Sequence, residues 1–411
     1  MMLRLVGSAS ALLLGVGLLV CGAGLLGTLL ALRGDLAGFD AGTLGWIMSG
    51  YFFGFVLGTY LSMPLIRRLG HIRSFAFCAA AAAAAVLLHP ILIDPWAWGL
   101  LRIITGVAFV CLYAVIESWL GAQASMQERG RLFAAYMVVN LVAIGIGQLL
   151  LPLAPIDSFV PFSLVALLTC LALMPVTWTR VAQPEITGAA PLPLAQLWRD
   201  APSAAAGAFV SGIVMGAFWG LMPLFASGIG LDSGGVAYWM ITAIAAGALL
   251  QWPLGRWSDR ADRRRVLAAV ALLGALSAGL LGLLQDVGEL RFGLLFVYGG
   301  FVFSLYPISV AHLMDRLEAE TLLAGSGRVL LLYGAGATLG PILAGASMKA
   351  LGPASLMYFS AAALLLLSAF IARRLQLRDS RVVHPGHFMP MVRTSPTAME
   401  MLPEAQPEAA E

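Results

Sequence analysis

Charge is what this 411-residue chain has least of: 11% of its residues are Asp, Glu, Lys or Arg, where a water-soluble domain carries about a quarter. So little charge excludes a soluble globular fold for most of the chain. Cysteine is scarce too. Cys21, Cys78, Cys111 and Cys170 all fall within apolar stretches, so no disulfide framework follows and they read as small packing residues. The chain also lacks a phosphate-cradling glycine loop, paired metal ligands and any nucleophile–base constellation. Direct ATP use and catalysis are therefore not expected, nor are a cofactor, a bound metal or a nucleic-acid partner.

What fills the sequence instead is a series of apolar runs near 6–32, 41–66, 72–93, 96–121, 132–153, 157–179, 203–227, 234–255, 266–285, 291–313, 326–348 and 353–373. A hydrocarbon layer of about 30 Å takes roughly 20 apolar residues as helix, and only helices or closed barrels satisfy their backbone polar groups there. The runs are continuous rather than alternating, which selects helices. The expected fold is an all-α membrane protein of about 12 spans. The apolar run after Arg4 continues without a small-x-small cleavage pattern and reads as an uncleaved first span.

The positive residues sort by side. Of 24 Lys and Arg, all but Arg33, Arg102, Arg291 and Lys349 fall at the termini or in the even-numbered loops. The positive-inside rule then predicts that both termini are cytoplasmic, in a bacterial inner membrane. Residues 181–202, rich in proline and charge, divide six spans (1–180) from six (203–375) as a plain linker. Beyond them 376–411 reads as a disordered cytoplasmic tail, rich in Pro, Met and Glu.

The halves repeat. Gly106–Tyr113 in the fourth span matches Gly299–Tyr306 in the tenth, at an offset of 193, and Arg68 after the second span answers Arg260 after the eighth. Two parallel six-helix repeats form a transporter architecture, with the substrate site between the halves near mid-membrane. Fold alone does not give the chemistry.

After the eighth span runs Gly255-Arg-Trp-Ser-Asp259-Arg260-Ala-Asp262-Arg-Arg264-Arg265, which resembles the G-x-x-x-D-R-x-G-R-R loop of the major facilitator superfamily, with Asp262 where the family has glycine. Its first-half counterpart keeps Arg68, Gly70 and Arg73 but has Arg67 where the acid belongs. Arg102-Ile-Ile-Thr105-Gly106 resembles the family's fourth-span R-x-x-x-G segment. Gly336-x3-Gly340-Pro341-x3-Gly345 resembles its glycine–proline motif, here on the eleventh span, where small residues permit close helix approach. Glu117-Ser118-Trp119, Arg129-Gly130-Arg131, Pro223, Gln251-Trp252-Pro253 and Tyr306-Pro307 together resemble the YcaD-like branch of bacterial transporters, over roughly residues 10 to 372.

Ionisable groups inside lipid mark pathways or gates. On the fourth span Thr105, Phe109, Tyr113 and Glu117 lie within about 60° of Arg102, a stripe expected to line the substrate cavity. Asn140, Gln148, Trp219, Tyr306 and Tyr333 are further cavity candidates. Arg102 suits an anionic group or a nearby proton site. For Glu117 three readings stay open. It carries the coupling proton, serves as a gate acid paired with Arg68, Arg73 or Arg131, or makes a purely structural pair; closeness to the interface, with water at hand, favours the gate. Gly255, Asp259, Arg260 and Arg264 are the matching second-half gate candidates. The function expected is secondary transport of a small molecule, proton-coupled and outward, among membrane lipids. The alternatives are a non-transporting membrane sensor or assembly partner, and a lipid translocator.

Overall fold

The computed structural model describes residues 2–123, 128–178, 193–317, 319–376 and 388–391. Its helices are α1 Met2–Leu36, α2 Ala41–Leu69, α3 His71–Leu88, α4 Pro95–Gln123, α5 Arg129–Leu149, α6 Val160–Leu171, α7 Leu173–Trp178, α8 Leu194–Asp200, α9 Pro202–Gly228, α10 Ser233–Arg260, α11 Arg263–Leu283, α12 Leu290–Met314, α13 Ala319–Leu351 and α14 Ser355–Leu375. Twelve segments are long and apolar enough to cross a membrane, α6 and α7 together making the sixth. No strand occurs among the described residues.

Local chemistry sets the ends. Asp40 accepts the Thr43 N–H at 3.0 Å and Asp232 the Gly235 N–H at 2.7 Å, side-chain caps that start α2 and α10. Helix α3 stops at Leu88, short of the expected 93, because Pro90 follows and disfavours helix in the residue before it. The α6–α7 break has the same cause: Pro175 lacks an N–H and crowds the carbonyl of Leu171. In contrast, α10 runs on to Arg260 rather than ending at 255. The Gly255–Arg260 stretch, expected as a loop, is the last turns of a helix.

The linker also differs from expectation. Residues 194–200 form a short helix with Leu197 buried and Leu194 and Trp198 exposed; positions 179–192 lie outside the described residues. Across the bundle the outward surface is apolar, with Trp96 and Trp178 at helix ends 79% and 89% exposed. That surface suits lipid, and tryptophan at that level suits the membrane–water interface.

The repeat read in the sequence reappears as one joint used twice. A side chain on Gly106 would strike the α2 backbone at Tyr51, and one on Gly299 would strike the α10 backbone at Ala243. At both positions only glycine allows such close approach.

The two six-helix groups meet closely at the end bearing Asp40. There Ser49 Oγ donates to the Thr338 carbonyl at 2.6 Å, and Lys349 Nζ lies 3.2 Å from Asp40 Oδ2. Gly45 and Gly345 sit against the facing backbones of Pro341 and Ala41. The glycine–proline motif of α13 thus serves two neighbours, since Gly336 and Gly340 press on the α9 backbone at Phe209 and Ile213 while Pro341 and Gly345 press on α2. Close packing through small residues is how membrane helices gain contact without a hydrophobic drive.

Candidate functional site

Between the halves lies a cavity of about 1070 Å³ of atom-free space, part of it continuous with solvent. Its wall draws on α1, α2, α4, α5, α9, α12 and α13. Of the sequence candidates, Arg102, Phe109, Tyr113, Asn140, Trp219, Tyr306 and Tyr333 line it.

Helix phase explains which α4 residues face inward. At about 100° per residue, Phe109 and Tyr113 fall within about 20° of Arg102, whereas Thr105 and Glu117 sit about 60° to either side. Thr105 is fully buried and returns its hydroxyl to the Arg102 carbonyl at 2.9 Å. Gln148 also departs from expectation. Eight residues beyond Asn140 is a rotation of about 80°, which turns it toward α1. There it accepts from Thr28 Oγ1 at 2.7 Å and donates to the Gly24 carbonyl at 2.9 Å, tying α1 to α5 instead of facing the cavity.

Arg102 is 5% exposed and, among the described residues, is the one charged side chain in the wall. Its guanidinium stands 4.6 Å from the Tyr51 ring centroid, an attraction that grows once the cation is removed from water. Behind it, His89 follows the end of α3, wholly buried, with Nδ1 2.7 Å from the Ala85 carbonyl. Burial pushes this imidazole down to about 3, and the nearby Arg102 charge pushes the same way. His89 is therefore neutral and places no second cation beside Arg102. Opposite, Tyr306 and Tyr333 pair at 4.8 Å, and Trp219 meets Phe303 edge-on at 5.8 Å. The wall is thus one cation set among aromatic faces.

Glu117 does not reach the cavity wall, nor does it sit in water. None of its surface is exposed, and it accepts a hydrogen bond from Tyr136 Oη at 2.5 Å. Arg68, Arg73 and Arg131, the expected gate partners, are exposed surface residues. The backbone carbonyl of Tyr136 receives Asn140 Nδ2 at 2.8 Å, so one residue links the enclosed carboxyl to a cavity-lining amide. The exposure of Glu117 assumed from its place near the helix end is wrong because α5 covers it.

In the second-half motif the hub is Arg263, which sequence reasoning passed over. It is 7% exposed; its Nε bonds Asp315 Oδ2 at 2.7 Å, and Nη1 reaches Asp259 at 2.9 Å and Ser258 at 3.1 Å. The bonds join the foot of α10, the start of α11 and the end of α12. Arg264 pairs instead with its neighbour Asp262 at 3.0 Å, while Arg260 is exposed. At Asp262 burial works to raise the carboxyl, but the hydrogen bonds from Arg264 outweigh it and hold the group below its ordinary range. Helical phase carried the missed signal: Arg263, Val266, Leu267 and Val270 form one buried stripe at i, i+3, i+4 and i+7.

Gly255 faces neither α10's neighbours nor lipid. A side chain there would strike the ring of Phe388, from the stretch read as tail. Residues 388–391 have defined contacts, contrary to the expectation of a tail without them, and Met391 is 4% exposed in the cavity wall. Tyr51, Phe52, Thr28, Ser211, Met215 and Phe303 are among the other lining residues that the sequence did not single out.

A family model described as Major Facilitator Superfamily matches residues 12–246 and 204–390. An uncharacterised MFS-type transporter of Enterobacter sp. (strain 638) is 32% identical over 80% of this chain and 86% of its own length. YcaD of Escherichia coli O17:K52:H18, also an uncharacterised MFS-type transporter, shows the same identity and coverage. Among solved structures, the nucleoside transporter NupG superposes with a TM-score of 0.73 at 15% identity, covering 90% of this chain and 100% of NupG. An inward-facing bacterial homologue of the lysosomal transporter Spinster superposes at 0.70 with 13% identity, covering 89% and 95%. At such identities these structures speak for the fold alone.

Proposed function

The chain belongs to the major facilitator superfamily, and from that premise we propose that it moves a small organic anion with an aromatic or apolar body outward across the bacterial inner membrane, coupled to protons. Membrane transport is the function the family supports; substrate class, coupling and direction are our reading. The observation that carries the substrate class is the cavity wall, in which Arg102 is the lone charge among the described residues, amid Tyr51, Tyr113, Trp219, Tyr306 and Tyr333. An anionic group can meet the Arg102 guanidinium through charge-assisted hydrogen bonds while its apolar body fills the aromatic surface.

Proton coupling rests on Glu117. Its enclosed carboxyl communicates with the cavity through Tyr136 and Asn140, a route by which proton uptake alters the wall where substrate sits. Both termini on the cytoplasmic side follow from the arginine distribution.

The test is flux in proteoliposomes under an imposed proton gradient, across a panel of aromatic carboxylates, phosphates and matched neutral amides. Gradient-dependent accumulation of an anion, reduced tenfold or more in Arg102→Gln and not rescued by Arg102→Lys, is expected. Equal transport of the neutral analogues, or an unchanged Arg102→Gln, rejects the substrate class.

A further inference from the structure

Phe388–Met391 runs along α10 at the arginine-rich end of the bundle. Its contacts descend the helix: the Phe388 N–H donates to Asp259 Oδ1 at 2.9 Å, the Phe388 ring rests on Gly255, and the Met391 N–H donates to Gln251 Oε1 at 3.1 Å. From Asp259 to Gln251 is about 12 Å along a helix axis at 1.5 Å per residue. Three extended residue steps span about 10–11 Å. The segment therefore fits α10 as an extended strand, and Pro390 favours that form because it constrains both itself and Met389 before it.

The groove is matched to this occupant. Glycine at 255 leaves the space that the phenyl ring fills. Gln251 is fully buried and has its amide oxygen turned to the tail, and Asp259 offers one oxygen to both Phe388 and Arg263. Pro390, the residue without an N–H, is the exposed one. Met391 then ends in the wall of the central cavity, beside the residues assigned to substrate.

We propose that Phe388–Met391 is a built-in partial plug of the central cavity, docked in the α10 groove formed by Gln251, Gly255 and Asp259, and that its departure widens the cavity's access to solvent at the arginine-rich end. Because Asp259 also holds Arg263, which binds Asp315 on α12, docking is tied to the arrangement of α10, α11 and α12. The thioether of Met391 occupies cavity space that an apolar part of a substrate would otherwise take. Release thus widens the path and frees a subsite together. The plug concerns access to the cavity and stands whether or not the cargo is an anion.

The experiment measures access directly. In the full-length chain with Cys21, Cys78, Cys111 and Cys170 replaced by Ala, Ser211→Cys puts one thiol in the cavity wall. Its reaction rate with a charged maleimide is followed in detergent. Phe388→Ala combined with Met391→Ser is expected to raise that rate at least threefold, and Gly255→Leu, which fills the groove from the other side, to do the same. A Trp178→Cys control on the outer surface should react equally in all backgrounds. An increase of less than threefold in both the tail and the groove variants overturns the plug. Labelling needs no transported substrate, so this outcome is independent of the flux test.

Discussion

At the scale of single residues, burial favours the proton-carrier reading proposed for Glu117. A gate acid needs water to separate into when the gate opens, but this carboxyl is enclosed and accepts from Tyr136. The proton-carrier role accommodates that environment. Glu117→Gln is then expected to abolish gradient-driven accumulation while counterflow exchange persists at no less than about half its rate. Tyr136→Phe should lower the gradient-driven rate about 10²-fold or less, the lower range for loss of a proton-transfer partner. Retained pH-dependent accumulation in Glu117→Gln would return the residue to a gating role. His89 gives a second test, with a definite sign. Its ordinary value is near 6.5 in the unfolded chain and about 3 here, so above pH 6.5 it is neutral in both states. As pH falls below 6.5 the unfolded chain takes up a proton that the folded chain refuses, and stability drops, by at most about 1.4 kcal/mol per pH unit. His89→Gln should show a shallower decline in detergent melting temperature from pH 7 to 5 than the unsubstituted chain. Parallel declines would remove His89 from the account.

At the scale of elements, helix identity was legible in the sequence and helix phase was only partly so. Long apolar runs reveal spans because lipid permits few alternatives. They do not reveal which side of a helix meets a neighbour when both protein and lipid faces are apolar. Arg102, Phe109 and Tyr113 could be grouped because a polar or aromatic residue every three or four positions stands out against aliphatic background. Gln148 could not be assigned, since an 80° drift is invisible without knowing that Thr28 and Gly24 lie opposite. Likewise the arginines at 260, 263, 264 and 265 look alike until the buried stripe of α11 picks out Arg263. From that stripe comes a contrast between the two repeat-related motifs. Arg263→Gln removes a buried cation bonded to the poorly exposed Asp315 and to Asp259 and is expected to cost about 3–5 kcal/mol, as for other broken buried pairs. Arg67→Gln, on an exposed side chain, should stay within about 0.5 kcal/mol. Detergent unfolding at fixed pH and salt compares them, and equal losses would show that Arg263 carries no special burden.

At the scale of the whole molecule, the two ends of the bundle differ in both charge and packing. The end with Asp40 and Asp232 is held together across the halves by α2 and α13 through backbone-close glycines, the Ser49–Thr338 bond and the Lys349–Asp40 pair. At the other end the arginine-rich turns carry the tail segment, whose Met391 reaches the cavity. In the transport cycle proposed for this chain, such close contact would pass from one end of the bundle to the other. Membrane orientation then fixes which compartment each end serves. The arginine excess predicts that the end with Arg67, Arg131 and Arg265 is cytoplasmic, since short loops flanking the spans follow positive charge. A cysteine introduced at Gly38 or Gly230, both at positive φ on open turns with nothing crowding them, should react with an impermeant maleimide added outside intact spheroplasts. One at Arg68 should react only after the membrane is opened. Since Gly38 and Gly230 both prefer the left-handed region, substitution there carries a strain of about 1–2 kcal/mol. Ser158→Cys, on the connection between α5 and α6 at the same end, serves as an unstrained check. Reactivity in the reverse pattern would invert the bundle, put the tail plug on the outer side, and make the closed α2–α13 end the cytoplasmic one.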